Sequence, residues 1–188
     1  MNKSLIDIMI EKSIYWPNKI GTDKEFNHRY CSLFYDSEFI NYRHKQIDLL
    51  EIGVQSAASM ILFSEYFINA NSIVGIDINP VPANNYCNYN KIKTIIADAY
   101  SIDIVNTLSQ FDIIIDDGPH TKSSHISCLQ LYTALLKPRG ILIIEDIPNL
   151  EWTEEYKQLV PHNMTSYIVD CRIKSNMSDS ILFIVKNN

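Results

Sequence analysis

Two clusters of acidic residues directly follow runs of apolar, β-branched residues. The first is DDGPH (116–120), which follows FDIII, and the second is Glu145-Asp146, which follows GILII. If the two runs are neighbouring parallel strands, these carboxylates converge at one edge of the sheet and form an all-oxygen site suited to a hard divalent cation such as Mg²⁺. The pattern therefore predicts a magnesium site built from the ends of two strands.

His120 lies three residues after Asp117, just before a helical stretch. Its imidazole is therefore expected near the cation, where a base with a pKa close to neutrality can take a proton from a substrate hydroxyl. Two structural alternatives remain open: His120 caps or orients the following helix, and the acids pair with lysines. We favour the catalytic interpretation for His120 and a packing or surface role for His125.

Acidic residues or glycines also end the three preceding strand-like runs. These are Glu51 and Gly53 after the first run, Asp77 after the second and Asp98 after the third. Ligands of open parallel sheets bind beyond the carboxyl ends of the strands, at the point where the strand order reverses. An unpaired, desolvated carboxylate is costly. We therefore predict that these residues converge on a polar ligand, with turn formation or helix capping as the alternative.

The segment after the first run excludes the common phosphate-binding loops. It reads GVQSAAS (53–59), which is neither G-x-G-x-x-G nor G-x-x-x-x-G-K-[ST]. Without further glycines the backbone cannot approach a pyrophosphate closely, and Glu51 would repel one. A nucleoside with a sulfonium and an ammonium group but no phosphate suits this acidic rim, which predicts S-adenosylmethionine. Asp77 is placed to bind the ribose hydroxyls, and Asp98-Ala99 to recognise the adenine amino group.

The elements that position these residues are indicated by a change of apolar period near residue 46. Before it, apolar residues recur at spacings of three and four, which predicts a helical cap or lid over 1–45. After it, five nearly continuous apolar runs alternate with helical stretches, as is typical of strands buried on both faces of a parallel sheet. The runs lie at 47–54, 72–78, 92–98, 111–118 and 140–147.

Two further strand-like runs, 165–173 and 179–186, are separated only by KSNMS. This connection is too short for a helical crossover, so the two strands are expected to pair antiparallel. We predict one α/β domain over 1–188, with a core over 46–188. The core is a Rossmann-like doubly wound seven-stranded sheet, mostly parallel with a C-terminal antiparallel hairpin, which is the pattern of class I methyltransferases.

Composition narrows the classes of protein and partner. A chain of 188 residues with 46% hydrophobic residues is expected to form one folded domain. Its net charge of −6 argues against a nucleic-acid partner, and no apolar run is long enough to span a membrane. The four cysteines have no C-x-x-C spacing, which predicts reduced thiols, and the first residues do not read as a signal peptide. These features predict a cytoplasmic protein.

Five segments together resemble a known family. They are GTDKEFNHRY (21–30), LLEIGV (49–54), GIDI (75–78), FDIIIDDGPH (111–120) and ILIIEDI (141–147). They resemble the metal-dependent sugar O-methyltransferases typified by the macrocin and mycinamicin enzymes, and the related cephalosporin hydroxylases look similar. The resemblance extends from about Gly21 to Lys186, and DDGPH followed by EDI is its most specific part.

The resemblance implies an S-adenosylmethionine-dependent, Mg²⁺-assisted methyl transfer to a hydroxyl of a sugar or glycosylated small molecule. By position, it implies that Asp117, Glu145 and Asp146 bind Mg²⁺ and that His120 is the general base, with Asp117 also counted as catalytic. It also implies a lid segment that includes Asp23, His28 and Tyr30, and it allows a homo-oligomer. The residues implied for the cofactor site are Glu51, Gly53, Asp77, Ile78, Asp98, Ala99 and Asp116.

Ala57 departs from the family pattern, which usually has a further glycine in this loop. Its methyl group either crowds the methionine end of the cofactor or sets a tighter start for the next helix. Two other functions stay open: a cephalosporin-hydroxylase-like reaction, and a non-catalytic nucleoside-binding module if Ala57 blocks the site. Aromatic residues outside the core motifs, among them Trp16, can stack on a sugar or close the core, and we favour packing.

Overall fold

The fold is described by a computed structural model over residues 3–175 and 177–188. The helices are α1 (Leu5–Lys12), α2 (Asp36–Phe39), α3 (Ala58–Tyr66), α4 (Ile102–Val105), α5 (Lys122–Tyr132) and α6 (Trp152–Leu159). The strands are β1 (Asp48–Ile52), β2 (Ser72–Asp77), β3 (Ile92–Ile96), β4 (Phe111–Asp116), β5 (Leu136–Ile144), β6 (Met164–Asp170) and β7 (Ile181–Asn187). A π-helical turn, Cys31–Tyr35, leads into α2.

The seven strands form one sheet in the order β3-β2-β1-β4-β5-β7-β6. The first five strands of the chain pair in parallel, whereas β7 is antiparallel to both β5 and β6. The predicted mixed sheet with an antiparallel hairpin is thereby confirmed. The strand order reverses between β1 and β4, and this is the position at which open α/β sheets bind their ligands.

Both faces of the sheet are buried. Leu49 and Ile113 pack in a cluster with α1, α2 and α3, whereas their neighbours Leu50 and Ile114 pack in a second cluster with α4, α5 and α6. Successive side chains of a strand point to opposite faces, so each strand supplies both clusters. This explains why the strands appear in the sequence as continuous apolar runs rather than as alternating ones.

The predicted helical cap is helical only at its two ends. Ser4 begins α1 with a capping box, in which its hydroxyl accepts from the backbone N–H of Asp7 and the Asp7 carboxylate accepts from the backbone N–H of Ser4. The π-helical turn and α2 form the second helical part, and residues 13–29 form turns and loops between them. This irregular segment crosses the carboxyl edge of the sheet.

Strand β5 begins earlier than the predicted run at 140–147. It starts at Leu136 opposite Phe111, and its register then shifts so that Ile141 pairs with Ile113. Arg139 has a left-handed backbone, φ 65°, next to Gly140. The irregularity lies in the sequence KPRG, where no apolar pattern could indicate a strand.

The four cysteines are free, and all but Cys87 are buried. The burial of three of them agrees with the expectation of mostly buried thiols. No helix in the described part of the chain has the length and apolar character needed to cross a bilayer.

Candidate active site

The loops after β1 and β4 touch each other at the point where the strand order reverses. The Asp117 N–H donates to the Ile52 carbonyl at 2.9 Å, and Gly53 has a left-handed backbone with φ 79°. A Cβ atom at Gly53 would lie 2.0 Å from the carbonyl oxygen of Asp117. Glycine is therefore required at residue 53 both for its backbone conformation and for the close passage of the chain that carries Asp117.

Asp117, His120 and Asp146 form a compact group at this edge, hereafter the donor triad. One oxygen or nitrogen from each lies within 4.8 Å of the others. The His120 Nε2 atom is 3.8 Å from Asp117 Oδ1 and 3.8 Å from Asp146 Oδ2. Both His120 and Asp146 have left-handed backbones, with φ 52° and 53°. Such conformations in residues other than glycine concentrate at functional sites.

Lys24 lies directly behind the donor triad and contacts three carboxylates. Its side chain is 1% exposed, and Nζ is 2.7 Å from Asp117 Oδ2, 2.6 Å from Glu145 Oε2 and 3.5 Å from Glu51 Oε1. The ammonium group thus joins the ends of β1, β4 and β5 to the cap. The structure places Glu145 in this buried ion-pair group, outside the donor triad, although the sequence analysis assigned it to the metal.

Two tyrosines and a histidine of the cap hold the acids from the other side. Tyr30 donates its hydroxyl to Asp146 Oδ1 at 2.6 Å, and Tyr35 donates its hydroxyl to Glu145 Oε1. The His28 Nδ1 atom lies 3.2 Å from the same Asp146 oxygen. The cap segment 21–35 therefore orients the carboxylates that follow β5.

The site holds more negative than positive charge. Burial raises the pKa of Asp117 well above its ordinary value, and repulsion by Glu145 and Asp146 opposes the attraction of Lys24. Burial also raises the pKa of Glu145. For Lys24, burial favours the neutral form, but the carboxylates of Asp117, Glu145 and Glu51 outweigh it and raise its pKa well above the usual value.

These observations fit a divalent cation. Two carboxylates and an imidazole point at one another from short distances, and a single buried ammonium does not neutralise the acids around it. Carboxylate oxygens are the ligands that Mg²⁺ prefers in proteins, and the charge of a bound cation would offset the repulsion by Glu145 and Asp146 that adds to burial in raising the pKa of Asp117. The donor triad could therefore hold Mg²⁺.

A first cavity, of about 370 Å³, lies across the ends of β1, β2 and β3. Five residues of the predicted cofactor site line it: Gly53, Asp77, Ile78, Asp98 and Ala99. Ile78 is 72% exposed, so its apolar side chain is available to a flat ligand such as a purine. The structure thus brings these five residues to one cavity, as their positions at the strand ends indicated.

Asp77 already accepts three backbone hydrogen bonds. Its Oδ2 accepts from the N–H groups of Val54 and Gln55 at 2.9 and 3.0 Å, and its Oδ1 accepts from Asn79 at 2.8 Å. An ionised carboxylate has about four acceptor positions, so about one remains for a ligand. Asp77 thus shapes the loop after β1 in addition to facing the cavity.

Two residues assigned to the cofactor lie behind the cavity wall. Glu51 is fully buried, and its Oε2 accepts from the Ser59 hydroxyl at 2.7 Å. Asp116 is also buried and accepts from the Tyr100 hydroxyl at 2.7 Å. Burial raises the pKa of Glu51 to about 7 and that of Asp116 to about 6. In this structure both support the wall and do not line the cavity, because their side chains point to the interior.

Sequence reasoning missed Lys24, Tyr35 and Tyr100. Tyr100 lines the first cavity, and its hydroxyl occupies the space next to Gly118, where a Cβ atom would lie 2.3 Å away. The only local signal for Tyr100 is its position directly after Asp98-Ala99. For Lys24 and Tyr35 no local signal exists beyond the GTDK segment, since the carboxylates nearest to their polar atoms, Asp117 and Glu145, lie more than ninety residues away.

A second cavity, of about 360 Å³, opens over the donor triad. Asp117, His120 and Asp146 line it together with Asp23 of the cap. The two cavities share Gly53, Gln55 and Asp117. A ligand in the first cavity can therefore present one end to a second ligand that lies over the donor triad.

Ala57 lines neither cavity. Its backbone is left-handed, φ 66° and ψ 19°, directly before α3, and its methyl group is fully buried in the core. The side chain that replaces the expected glycine therefore does not crowd the methionine end of a ligand in either cavity.

We expect Ala57→Gly to change the affinity for S-adenosylhomocysteine by less than about threefold, an energy below about 0.7 kcal/mol. Relief of about 1 kcal/mol of left-handed strain is offset by loss of a buried methyl group, about 0.8 kcal/mol, so stability is also expected to change little. Isothermal titration calorimetry and thermal unfolding measure the two quantities. A tenfold gain in affinity would show that the methyl group does obstruct the ligand.

Relatives in sequence are sugar O-methyltransferases. The chain is 25% identical over 143 residues to the 8-demethyl-8-alpha-L-rhamnosyl tetracenomycin-C 2'-O-methyltransferase of Streptomyces olivaceus, covering 70% of this chain and 36% of the relative. It is 27% identical over 129 residues to the mycinamicin VI 2''-O-methyltransferase of Micromonospora griseorubida, covering 63% of this chain and 31% of the relative. The chain thus spans about a third of the length of these curated relatives. No protein-family model matches it.

The fold is similar to that of a mycinamicin enzyme of known structure. MycE methyltransferase, solved in complex with Mg, S-adenosylhomocysteine and mycinamycin VI, superposes with a TM-score of 0.65 at 25% identity. The superposition covers 84% of this chain and 42% of that chain. These comparisons confirm the resemblance to sugar O-methyltransferases that the five sequence segments indicated.

Proposed function

We propose that this chain is an S-adenosylmethionine-dependent, Mg²⁺-assisted O-methyltransferase that acts on a hydroxyl of a sugar or glycosylated small molecule. One arrangement supports this function above all: the donor triad lies in a cavity that adjoins the first cavity and shares Asp117 with it. The relatives in sequence reported above are O-methyltransferases, and the MycE methyltransferase has a similar fold. No observation on the described residues favours the hydroxylase reaction or a non-catalytic module.

In this proposal the first cavity binds the nucleoside of S-adenosylmethionine. Asp77 accepts from the ribose, Ile78 packs against the adenine, and Asp98 with Ala99 recognises the adenine edge. Gly53 lets the chain come close to the methionine moiety, which extends toward the second cavity. The methyl-bearing end of the cofactor would then lie where the two cavities meet, at Gly53 and Asp117.

Asp117 and Asp146 are the residues that would hold Mg²⁺, and His120 would lie beside the ion with its Nε2 lone pair free to accept a proton. When bound, the ion supplies a positive charge that lowers the pKa of an acceptor hydroxyl and orients a vicinal pair of oxygens. Tyr30 and His28 hold the Asp146 carboxylate, and Lys24 holds one oxygen of Asp117, so that the other oxygens stay directed at the acceptor cavity.

His120, which lines the second cavity, takes the acceptor proton at Nε2, the ring nitrogen that lies near Asp117 and Asp146. The acceptor oxygen forms a bond to the methyl carbon while the carbon–sulfur bond breaks. The electron pair of the broken bond stays with sulfur. The sulfonium thereby becomes the neutral thioether of S-adenosylhomocysteine. The chain's contribution is to align oxygen, methyl carbon and sulfur and to accept the proton.

The test is calorimetry with S-adenosylmethionine and S-adenosylhomocysteine, with and without Mg²⁺, together with methyl transfer to a panel of glycosides. We expect both nucleosides to bind to the wild-type chain. We expect Asp146→Asn to weaken Mg²⁺ binding by at least about tenfold, the lower end of what removing even an outer-shell partner does. Asparagine tolerates the left-handed backbone of residue 146, so the fold should survive.

Asp170→Asn is the matched control, since Asp170 pairs with Arg172 far from both cavities. Its Mg²⁺ and nucleoside affinities are expected to equal those of the wild type. If neither nucleoside binds, the methyltransferase function is wrong.

A further inference from the structure

Trp16 stands out at the rim of the second cavity, because its indole is 58% exposed. The other tryptophan, Trp152, is half-buried against the second core cluster. A packing role was expected for Trp16, and its exposure contradicts that expectation. The indole lines the cavity that the donor triad also lines, so a ligand in that cavity could cover its apolar face.

The loop that carries Trp16 is well connected by hydrogen bonds. The Trp16 N–H donates to the Thr22 carbonyl at 3.0 Å, the Thr22 N–H donates to Ile14 at 3.1 Å, and the Asn18 N–H donates to Tyr15 at 2.9 Å. A Cβ atom at Gly21 would lie 2.6 Å from the carbonyl of Tyr15, so glycine is needed for this close crossing. The backbone thus holds the indole at the cavity mouth.

The charges that line the second cavity restrict its ligand. Three carboxylates line it, those of Asp23, Asp117 and Asp146, and no lysine or arginine of the described chain does. Lys24 is buried behind the cavity and already contacts three acids. Three carboxylates exceed the double charge of a bound Mg²⁺, so an acceptor that carries a phosphate or a carboxylate would meet a net like charge, whereas a neutral polyol would find acceptors for its hydroxyl groups.

We propose that Trp16 is the platform for the apolar C–H face of a sugar ring and that the acceptor is a neutral glycoside rather than a sugar phosphate or a uronic acid. This inference rests on the proposed methyl transfer and names its acceptor class. The indole covers one face of the ring, while Asp23 and Asn27, which line the same cavity, face its hydroxyl groups. The donor triad then meets a pair of ring hydroxyls.

The experiment compares Trp16→Ala and Trp16→Phe with the wild type, with Trp152→Phe as the control. The probes are the methyl α-glycosides of glucose, galactose and mannose and the matching methyl uronides, assayed by methyl transfer from S-adenosylmethionine with Mg²⁺. We expect neutral glycosides to be preferred over their uronides by at least about tenfold in kcat/KM. We expect Trp16→Ala to raise KM by about tenfold with kcat within about twofold, as loss of an aromatic contact predicts.

Trp16→Phe keeps an aromatic face and is expected to stay within about threefold of the wild-type KM. Binding of S-adenosylhomocysteine is measured in each variant and is expected to be unchanged, which shows that the fold is intact. An unchanged KM in Trp16→Ala, a preference for uronides, or nucleoside binding with no transfer to any of the six probes overturns this inference. If the wild-type chain binds neither S-adenosylmethionine nor S-adenosylhomocysteine, the proposed function itself is overturned.

Discussion

Replacing Lys24 by methionine is expected to lower the free energy of unfolding by about 3–5 kcal/mol at pH 8, the range measured when one partner of a buried ion pair is removed. The ammonium lies within 2.7 Å of Asp117 and Glu145, and its side chain is 1% exposed. Methionine fills a similar volume but leaves the carboxylates buried without a counter-charge. They then either stay ionised at a high energy or take up protons.

The loss of unfolding free energy in Lys24→Met is expected to be smaller at pH 6 than at pH 8. Burial already raises the pKa of Glu51 to about 7 with Lys24 beside it, and removal of Lys24 raises that pKa further. A carboxyl group whose folded pKa exceeds its unfolded value holds a proton in the folded state that the unfolded chain has released. Stability therefore falls as the pH rises from the unfolded pKa toward the folded one.

Urea denaturation at both pH values measures this effect, with an unchanged m-value as the check that only stability has changed. Lys12→Met is the matched control, because Lys12 pairs with Glu65 at a partly exposed site. The Lys12→Met variant is expected to lose less than about 1 kcal/mol of unfolding free energy. If Lys24→Met unfolds within about 1 kcal/mol of the wild type at pH 8, the ion-pair group does not support the edge of the sheet as described.

Replacing His120 by asparagine is expected to lower kcat by about 10²–10⁴, the usual contribution of a general base. His120 lines the second cavity with the rest of the donor triad, and no other histidine of the described chain lines either cavity. Asparagine is chosen because residue 120 has φ 52°, which asparagine adopts more readily than alanine. Steady-state methyl transfer measures the change.

The His120→Asn variant also distinguishes whether His120 acts as a general base or as a metal ligand. If His120 acts as the base, Mg²⁺ affinity by calorimetry stays close to the wild-type value, whereas Asp146→Asn loses it. If His120 is chiefly a ligand, both variants lose Mg²⁺ affinity together. His162→Asn, at an exposed turn, is the control and is expected to leave kcat unchanged. A kcat within about threefold of the wild type in His120→Asn would contradict the assignment of the base.

Much of the fold could be predicted from the sequence because its signals are local. The alternation of apolar, β-branched strands with helical stretches predicts the parallel part of the sheet. The segment KSNMS is too short for a crossover, which predicts the antiparallel hairpin. Residues at the carboxyl ends of parallel strands lie at one edge, which is why Asp77, Asp98 and Asp117 line the first cavity. All three members of the donor triad were named from the sequence, Asp117 and Asp146 for the metal and His120 as the base, together with Glu145, which lies outside the triad.

The side to which each acid points was not readable from the sequence. Adjacent residues at a strand end face opposite ways, so Asp116 lies inside against Tyr100 while Asp117 lines both cavities. Likewise Glu145 turns toward Lys24, and Asp146 turns toward the second cavity through a left-handed backbone. A shift of one residue, or one unusual φ angle, reverses the assignment of such a pair.

The sequence by itself determined the sheet, the edge at which its acids gather and the absence of a phosphate-binding loop. Only the tertiary structure decided which acids face a ligand, that Lys24 joins three strand ends, that Ala57 points into the core and that Trp16 stays exposed. Strand and helix patterns depend on neighbours in the chain, whereas the Lys24 contact with Glu145 joins residues 121 apart. Such contacts depend on how the cap crosses the folded sheet.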